Sequence, residues 1–185
     1  VGNYNITATA NNSTTVPSLP VTIVPIYNYV ADYGSSGYGN VWMCQITNMN
    51  GSIDGTTCQT TNGGLDPSSI GFSPISMIFI QTTLGQKIAF VLSTSYYSGN
   101  NRVFSCVVNN STGLLSDCQD ITKTLGFVPD DIYAMGIFNN VAYITDYGNG
   151  DIYQCPINIS TGQMGTCIKP ANNADIPTAA KSDGV

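Results

Sequence analysis

The sequence has no histidine and no glutamate, and only 9% of its residues are charged. Without histidine, Ser-His-Asp and Cys-His catalysis are excluded, along with the most common metal ligand. All eleven acidic residues are therefore aspartates. Asp, Asn and Gly serve turns, whereas Glu favours helices, so the bias argues against a helical protein. The five cations, Lys87, Arg102, Lys123, Lys169 and Lys181, are scattered along a chain of net charge −6. Phosphate recognition needs clustered Lys and Arg, so neither nucleic acid nor an anionic membrane is an expected partner. No apolar run reaches the roughly 18 residues of a membrane span. The chain opens with neither an initiator Met nor a charged segment ahead of an apolar one, and it reads as mature or excised. CxxC spacing is missing too, so the cysteines carry neither a thioredoxin-like nor a zinc motif.

What is present is a repeat. Tyr29-Val30-Ala31-Asp32-Tyr33-Gly34 is echoed by Tyr143-Ile144-Thr145-Asp146-Tyr147-Gly148 and, more loosely, by Phe90 to Tyr96. After a Gly/Asn/Ser turn, each copy continues into an aliphatic, aromatic, any, Cys, any, aliphatic pattern: Val41 to Ile46, Val103 to Val108 and Ile152 to Ile157. Then come the turns Asn50-Gly51-Ser52, Ser111-Thr112-Gly113 and Ser160-Thr161-Gly162, each followed by a second cysteine.

Within a copy the two cysteines lie about 12 to 14 residues apart across a turn. A hairpin sets them opposite each other, within disulfide reach. Six cysteines allow many pairings, but three repeats with one pair each single out Cys44–Cys58, Cys106–Cys118 and Cys155–Cys167. Such pairing points to an oxidising compartment. Alternate strand residues share a face. Trp42, Cys44 and Ile46 thus lie together, as do Phe104, Cys106 and Val108, and Tyr153, Cys155 and Ile157, and each face is expected to be buried between neighbouring sheets.

The third copy reads as four strands: Ile132 to Phe138, Val141 to Tyr147, Asp151 to Asn158 and Gln163 to Lys169. Asn139-Asn140 is its first hairpin turn. The second copy repeats this with Ser76 to Thr82, Lys87 to Ser95, Arg102 to Asn109 and Leu114 to Ile121. Four short strands in units of about 45 to 60 residues fit propeller blades. The fold expected is all-β, a β-propeller-like array of about three four-stranded antiparallel blades, each with one intra-blade disulfide.

Tyr143 to Gly148, and next Tyr29 to Gly34, resemble the Tyr-Val-Thr-Asn-like second strand of the YVTN-type β-propeller repeats of bacterial and archaeal secreted and surface proteins. The resemblance covers roughly residues 25–185. The cysteine pair in every blade departs from that pattern and looks like a subset from extracytoplasmic bacterial proteins. The resemblance implies a location that is extracellular, on the cell surface or periplasmic.

The blades are expected at about 25–65, 72–122 and 128–170, with the start of a further one at 174–185. The first has no convincing first strand unless Pro20 to Pro25 supplies it. Residues 1–24 read as a leader, a linker or a donated strand. Propellers close with about four to eight blades. A piece of a longer propeller, two chains closing one ring, and an open array pairing through its strand edges all fit.

Asp130-Asp131 with Asp117 and Asp120 form the densest carboxylate grouping. Without an Asp-x-Asp-x-Asp-Gly loop they read as turn and cap residues, and no metal or cofactor is expected. Asp32 and Asp146 recur at one repeat position and read as turn formers bonding nearby backbone N–H groups. Asn-x-Ser/Thr sequons at Asn5, Asn11, Asn12, Asn50, Asn109, Asn110 and Asn158 are possible glycosylation sites. The many tyrosines could face a glycan or protein ligand. The expected function is a non-enzymatic extracellular or cell-surface repeat protein, structural or adhesive, self-assembling through open strand edges, with itself or further blades as partner. The alternatives are a fragment of a longer propeller enzyme, lactonase-like or quinoprotein-like, and a binding platform in an envelope complex.

Overall fold

The computed structural model describes residues 3–6, 19–22, 26–34, 38–46, 51–94 and 101–170. Its strands are antiparallel and successive in sequence. Among the described residues β1 (Asn3–Ile6) pairs only with β2 (Leu19–Thr22). The first repeat sheet holds β3 (Ile26–Asp32), β4 (Asn40–Ile46) and β5 (Gln59–Thr60). The second holds β6 (Pro74–Gln81), β7 (Lys87–Ser93), β8 (Arg102–Val108) and β9 (Leu115–Asp120). The third holds β10 (Ile132–Phe138), β11 (Val141–Asp146), β12 (Asp151–Asn158) and β13 (Gln163–Met164). The chain is an all-β, propeller-like array of such sheets. Disulfides Cys44–Cys58, Cys106–Cys118 and Cys155–Cys167 each lie within one sheet unit.

Local chemistry sets the turns. Asn139 and Asn140 take φ of 48° and 61°, the left-handed pair a two-residue hairpin turn requires. A four-residue helix α1 (Pro67–Ile70) starts with Asp66 accepting the Ser68 N–H and ends at left-handed Gly71. A 3-10 turn at Thr122–Leu125 ends on Gly126 in the same way. Each is followed by an equivalent segment, Gly71-Phe72-Ser73-Pro74 or Gly126-Phe127-Val128-Pro129. Its phenylalanine packs on the aromatic of its own sheet's third strand: Phe72 lies edge-on to Phe104 at 5.4 Å, and Phe127 stacks on Tyr153 at 4.0 Å.

Two apolar layers join the three sheets. Val41 and Tyr29 of the first sheet meet Ala89, Val91, Phe104, Cys106 and Val108 of the second. The opposite side of the second sheet, Ile88, Phe90, Leu92 and Val103, meets Ala142, Ile144, Cys155 and Ile157 of the third. β7 is thus buried on both faces, and fully burying each Phe or Leu there contributes about 1.5–3 kcal/mol.

The first sheet holds three strands among the described residues, in keeping with its lack of a convincing first strand in the sequence; Leu19–Thr22 pairs with Asn3–Ile6. Two expectations are corrected. The fourth strand of the third sheet, expected over Gln163 to Lys169, stops at Met164 and resumes only as a bridge between Ile168 and Gln154. Pro156 offers no N–H there, and its carbonyl takes the Gly165 N–H. Trp42 is 37% exposed where Phe104 is 1% exposed, because no sheet covers its face among the described residues. The further blade at 174–185 and the sequons Asn11, Asn12 and Asn50 lie outside the described residues, and of Asn5 only the backbone in β1 is described.

Candidate functional site

Among the described residues the most buried carboxylate is Asp146, at the end of β11. The β10–β11 register sets it opposite Ile132, beside the residues that lead into β10. Its Oδ2 accepts the Asp130 N–H at 3.0 Å and its Oδ1 the Asp131 N–H at 2.9 Å. Asn149 Nδ2 donates to Oδ2 at 3.2 Å. Asp146 therefore ties the entry of the first strand to the exit of the second. Ser93 does the same in the second sheet, its Oγ accepting the Ser73 N–H at 2.8 Å. In the first sheet, which shows no such first strand among the described residues, Asp32 turns to Gly34 N–H at 3.0 Å and Trp42 Nε1 at 3.3 Å. The recurring Asp is a backbone fastener.

Around Asp146 the polar groups are interlocked. Asn101 donates to the Asp130 carbonyl and accepts from Thr94 Oγ1 at 2.7 Å. Asp151 pairs with Lys169 at 2.6 Å and accepts from Tyr153 Oη at 3.4 Å. Burial raises the Asp131 carboxyl, and the charges of Asp146 and Asp130 add to the shift. Asp117 and Asp120 do not join this group. Both stand on β9, where Asp120 pairs with Arg102 at 3.2 Å and caps the following turn through the Thr122 N–H at 2.9 Å. Sequence proximity suggested one cluster, but the strand register divides it. No group of three potential metal-ligating side chains gathers among the described residues.

Asp120 belongs to a recurring Asp-x-Ser/Thr cap that sequence reasoning passed over. Asp54 accepts from Thr56, and Asp66 from Ser68, through backbone and hydroxyl alike. The hydroxyl bond first, and then the amide bond, hold both carboxyls below their ordinary range. The spacing was the available signal.

Clefts open where sheets meet. One of about 470 Å³ lies between the first and second sheets, lined among others by Tyr27, Tyr29, Phe79, Lys87, Asn109 and Asn110. Tyr27 and Tyr29 donate their hydroxyls to the Ser111 and Gly113 carbonyls at 2.9 and 2.5 Å, clamping the first sheet to the β8–β9 turn. Burial pushes the Tyr29 hydroxyl up to about 12, with Tyr27 adding to it. Tyr29 also lies 4.7 Å from Phe79, ring to ring. A second cleft of about 460 Å³ lies between the second and third sheets and includes Asp117, Gln119, Gln163 and Met164.

The described sequons occupy one turn type. In Asn109-Asn110-Ser111-Thr112-Gly113 and Asn158-Ile159-Ser160-Thr161-Gly162 the first Asn Oδ1 accepts amides two and three residues on, and Gly closes the turn at φ of 74° and 75°. The Asn110 amide instead donates to the Gly85 carbonyl at 3.1 Å.

No family model matches the chain, and neither does any curated protein. Among solved structures it is similar to a Bacteroides fragilis protein described as a 6-phosphogluconolactonase, with a TM-score of 0.48 and 14% identity over 78% of this chain and 35% of that one. The chain spans about a third of that protein's length.

Proposed function

We propose that this chain is a non-enzymatic, extracytoplasmic repeat protein of the YVTN-propeller kind, serving a structural or adhesive role outside the cell, at its surface or in the periplasm. One observation carries the reading: Asp146, Tyr27 and Tyr29, the acidic and phenolic groups at the sheet junctions, are already engaged by the protein's own backbone. Both Asp146 oxygens hold amides, and both cleft tyrosines hold carbonyls. Groups so committed fasten sheets and do not wait for a substrate. The three disulfides agree with an oxidising compartment. A glycan or protein ligand would meet the cleft walled by Tyr27, Phe79 and Asn109, where aromatic faces and amide groups lie together.

The test uses the purified, oxidised chain, assayed in parallel for hydrolysis of lactones and esters and for binding to itself, to cells and to immobilised glycans. The expected result is binding with no turnover. Turnover that disappears in Asp146→Asn or Asp131→Asn would overturn the reading, as would a strict monomer with no affinity for any of the three.

A further inference from the structure

The two apolar layers inside the array are built alike, and that likeness identifies what is bare at its ends. In each layer the later sheet presents the face carrying its first cysteine, and the earlier sheet presents the opposite one. Cross-strand partners fix the equivalences: Val91 opposite Phe104 in the second sheet, Ile144 opposite Tyr153 in the third, and Val30 opposite Trp42 in the first. Val91 and Ile144 are fully buried by the preceding sheet, whereas Val30 is 47% exposed. Ile26 and Ile53 are also exposed, and the β3–β4 register and the Ile46–Ile53 bridge place them on the Val30–Trp42 face.

Two further contacts repeat in the same way. The glycine of the third-to-fourth-strand turn presses on the preceding sheet: a side chain at Gly162 would strike Ile88, and one at Gly113 would strike Tyr27. At Gly51, in the corresponding turn of the first copy, a side chain would meet nothing among the described residues. The second cysteine donates its N–H to the preceding unit, Cys118 to the Gly63 carbonyl and Cys167 to the Leu125 carbonyl. Cys58 donates to Gly55 of its own turn.

Among the described residues the complementary face is bare at the other end. Phe90 and Val103, fully buried on the second sheet, correspond to Tyr143 and Ile152, which are only partly buried on the third. Phe138 and Ile168, exposed at 67% and 61%, border that outward face. A sheet face meant for solvent alternates to polar residues, and these two do not.

We infer that the Val30–Trp42 face of one copy takes the Phe138–Tyr143–Ile152 face of a second copy, continuing the chain's own sheet-on-sheet packing head to tail. The internal interfaces supply the argument for this occupant, since each end displays the half that the chain itself uses to receive the other half. A head-to-tail contact of this kind either closes into a ring or grows into a filament. The inference rests on reading the chain as an assembling repeat protein.

Trp42, the only tryptophan in the sequence, reports the contact directly. The oxidised chain is taken through a concentration series by light scattering and tryptophan fluorescence. Association is expected to shift Trp42 emission to the blue as its ring leaves water. Trp42→Asp, Val30→Asp and Phe138→Asp should each lower the association constant by roughly tenfold or more, the scale for losing a buried interface anchor. Circular dichroism checks that each variant is folded. Mixing Trp42→Asp with Phe138→Asp should restore a one-to-one pair, because one intact face remains on each. Monomer at every soluble concentration, association that survives Phe138→Asp, or a mixture that stays monomeric would each overturn the inference. A monomer that still binds glycans or cells removes the assembly and leaves the proposed function standing. An assembly that hydrolyses lactones does the reverse.

Discussion

Replacing Asp146 by alanine separates a fastener from a functional carboxylate. The substitution leaves the Asp130 and Asp131 N–H groups and the Asn149 amide without their acceptor. A buried donor left unsatisfied costs about 1–3 kcal/mol. Because these donors are only part-buried, water recovers some of that, and the total comes to about 3 kcal/mol. For a chain of this size that lowers Tm by about 6–12 °C. The same repeat position sets a graded series. Ser93→Ala breaks one buried bond and should cost about 1 kcal/mol, while Asp32→Ala, on exposed groups, should stay within about 0.5 kcal/mol. Asp146→Asn should fall between, since its amide keeps one acceptor oxygen but turns a donor toward the other N–H. Thermal and guanidinium unfolding of the oxidised protein, followed by circular dichroism, reads all four. If Asp146→Ala proved as stable as the parent or more so, the carboxylate would be held at the expense of stability, as functional groups are, and the fastener assignment would be wrong. Equal losses at Asp32 and Asp146 would sink it as well.

Three other outcomes are expected. Replacing Cys155 and Cys167 together by alanine opens a loop of sequence separation 12 and should cost about 3 kcal/mol by the chain-entropy relation, read as a fall in the guanidinium midpoint with a slope equal to or steeper than the parent's, because the unfolded chain is less constrained. Expression in a host that N-glycosylates should place glycan on Asn158 in preference to Asn110, whose amide holds Gly85; peptide mass mapping decides, and preferential use of Asn110 would contradict the turn geometry. Asp131 has a native pKa raised above its unfolded value, so its contribution to stability is full below the ordinary carboxylate range and is lost as pH rises through the native value. Asp131→Asn should therefore gain stability over the parent between weakly acidic and neutral pH, and a difference that is flat with pH would refute the assignment.

The repeat, the cysteine pairs and most strand limits could be read from the sequence because each rests on local chemistry. Strand period fixes which residues share a face, and Asn139-Asn140 carries its own left-handed turn. The limits of β10 and β12 follow from such signals alone. What could not be read depends on neighbours. Trp42 occupies the same repeat position as Phe104 and Tyr153, yet no local signal states whether a sheet lies over it. Asp130 and Asp131 are nearer in sequence to Asp120 than to Asp146, but the hairpin register carries Asp146 to them. The Gly71-Phe72-Ser73-Pro74 and Gly126-Phe127-Val128-Pro129 segments were not singled out in the sequence, because their role, seating a phenylalanine on the third-strand aromatic of the sheet that each one opens, is set by the tertiary structure.

Coupling between sheets then decides how stability is distributed. In a stacked array each unit is stabilised by its own contacts and by those with its immediate neighbours. The second sheet has both faces covered, with Phe90, Val91, Leu92, Val103 and Phe104 essentially sealed from water. Among the described residues the first sheet has three strands and one covered face, so its disulfide Cys44–Cys58 and the Tyr27 and Tyr29 clamps do a larger share of holding it. A partner that covers the Trp42 face would give the first sheet the second layer that the second sheet already possesses. Because that partner binds the folded array and not the unfolded chain, assembly raises stability by mass action. The first sheet is therefore where oligomerisation and folding are most tightly linked, and rising protein concentration should slow amide exchange in β3 and β4 by a larger factor than in β7.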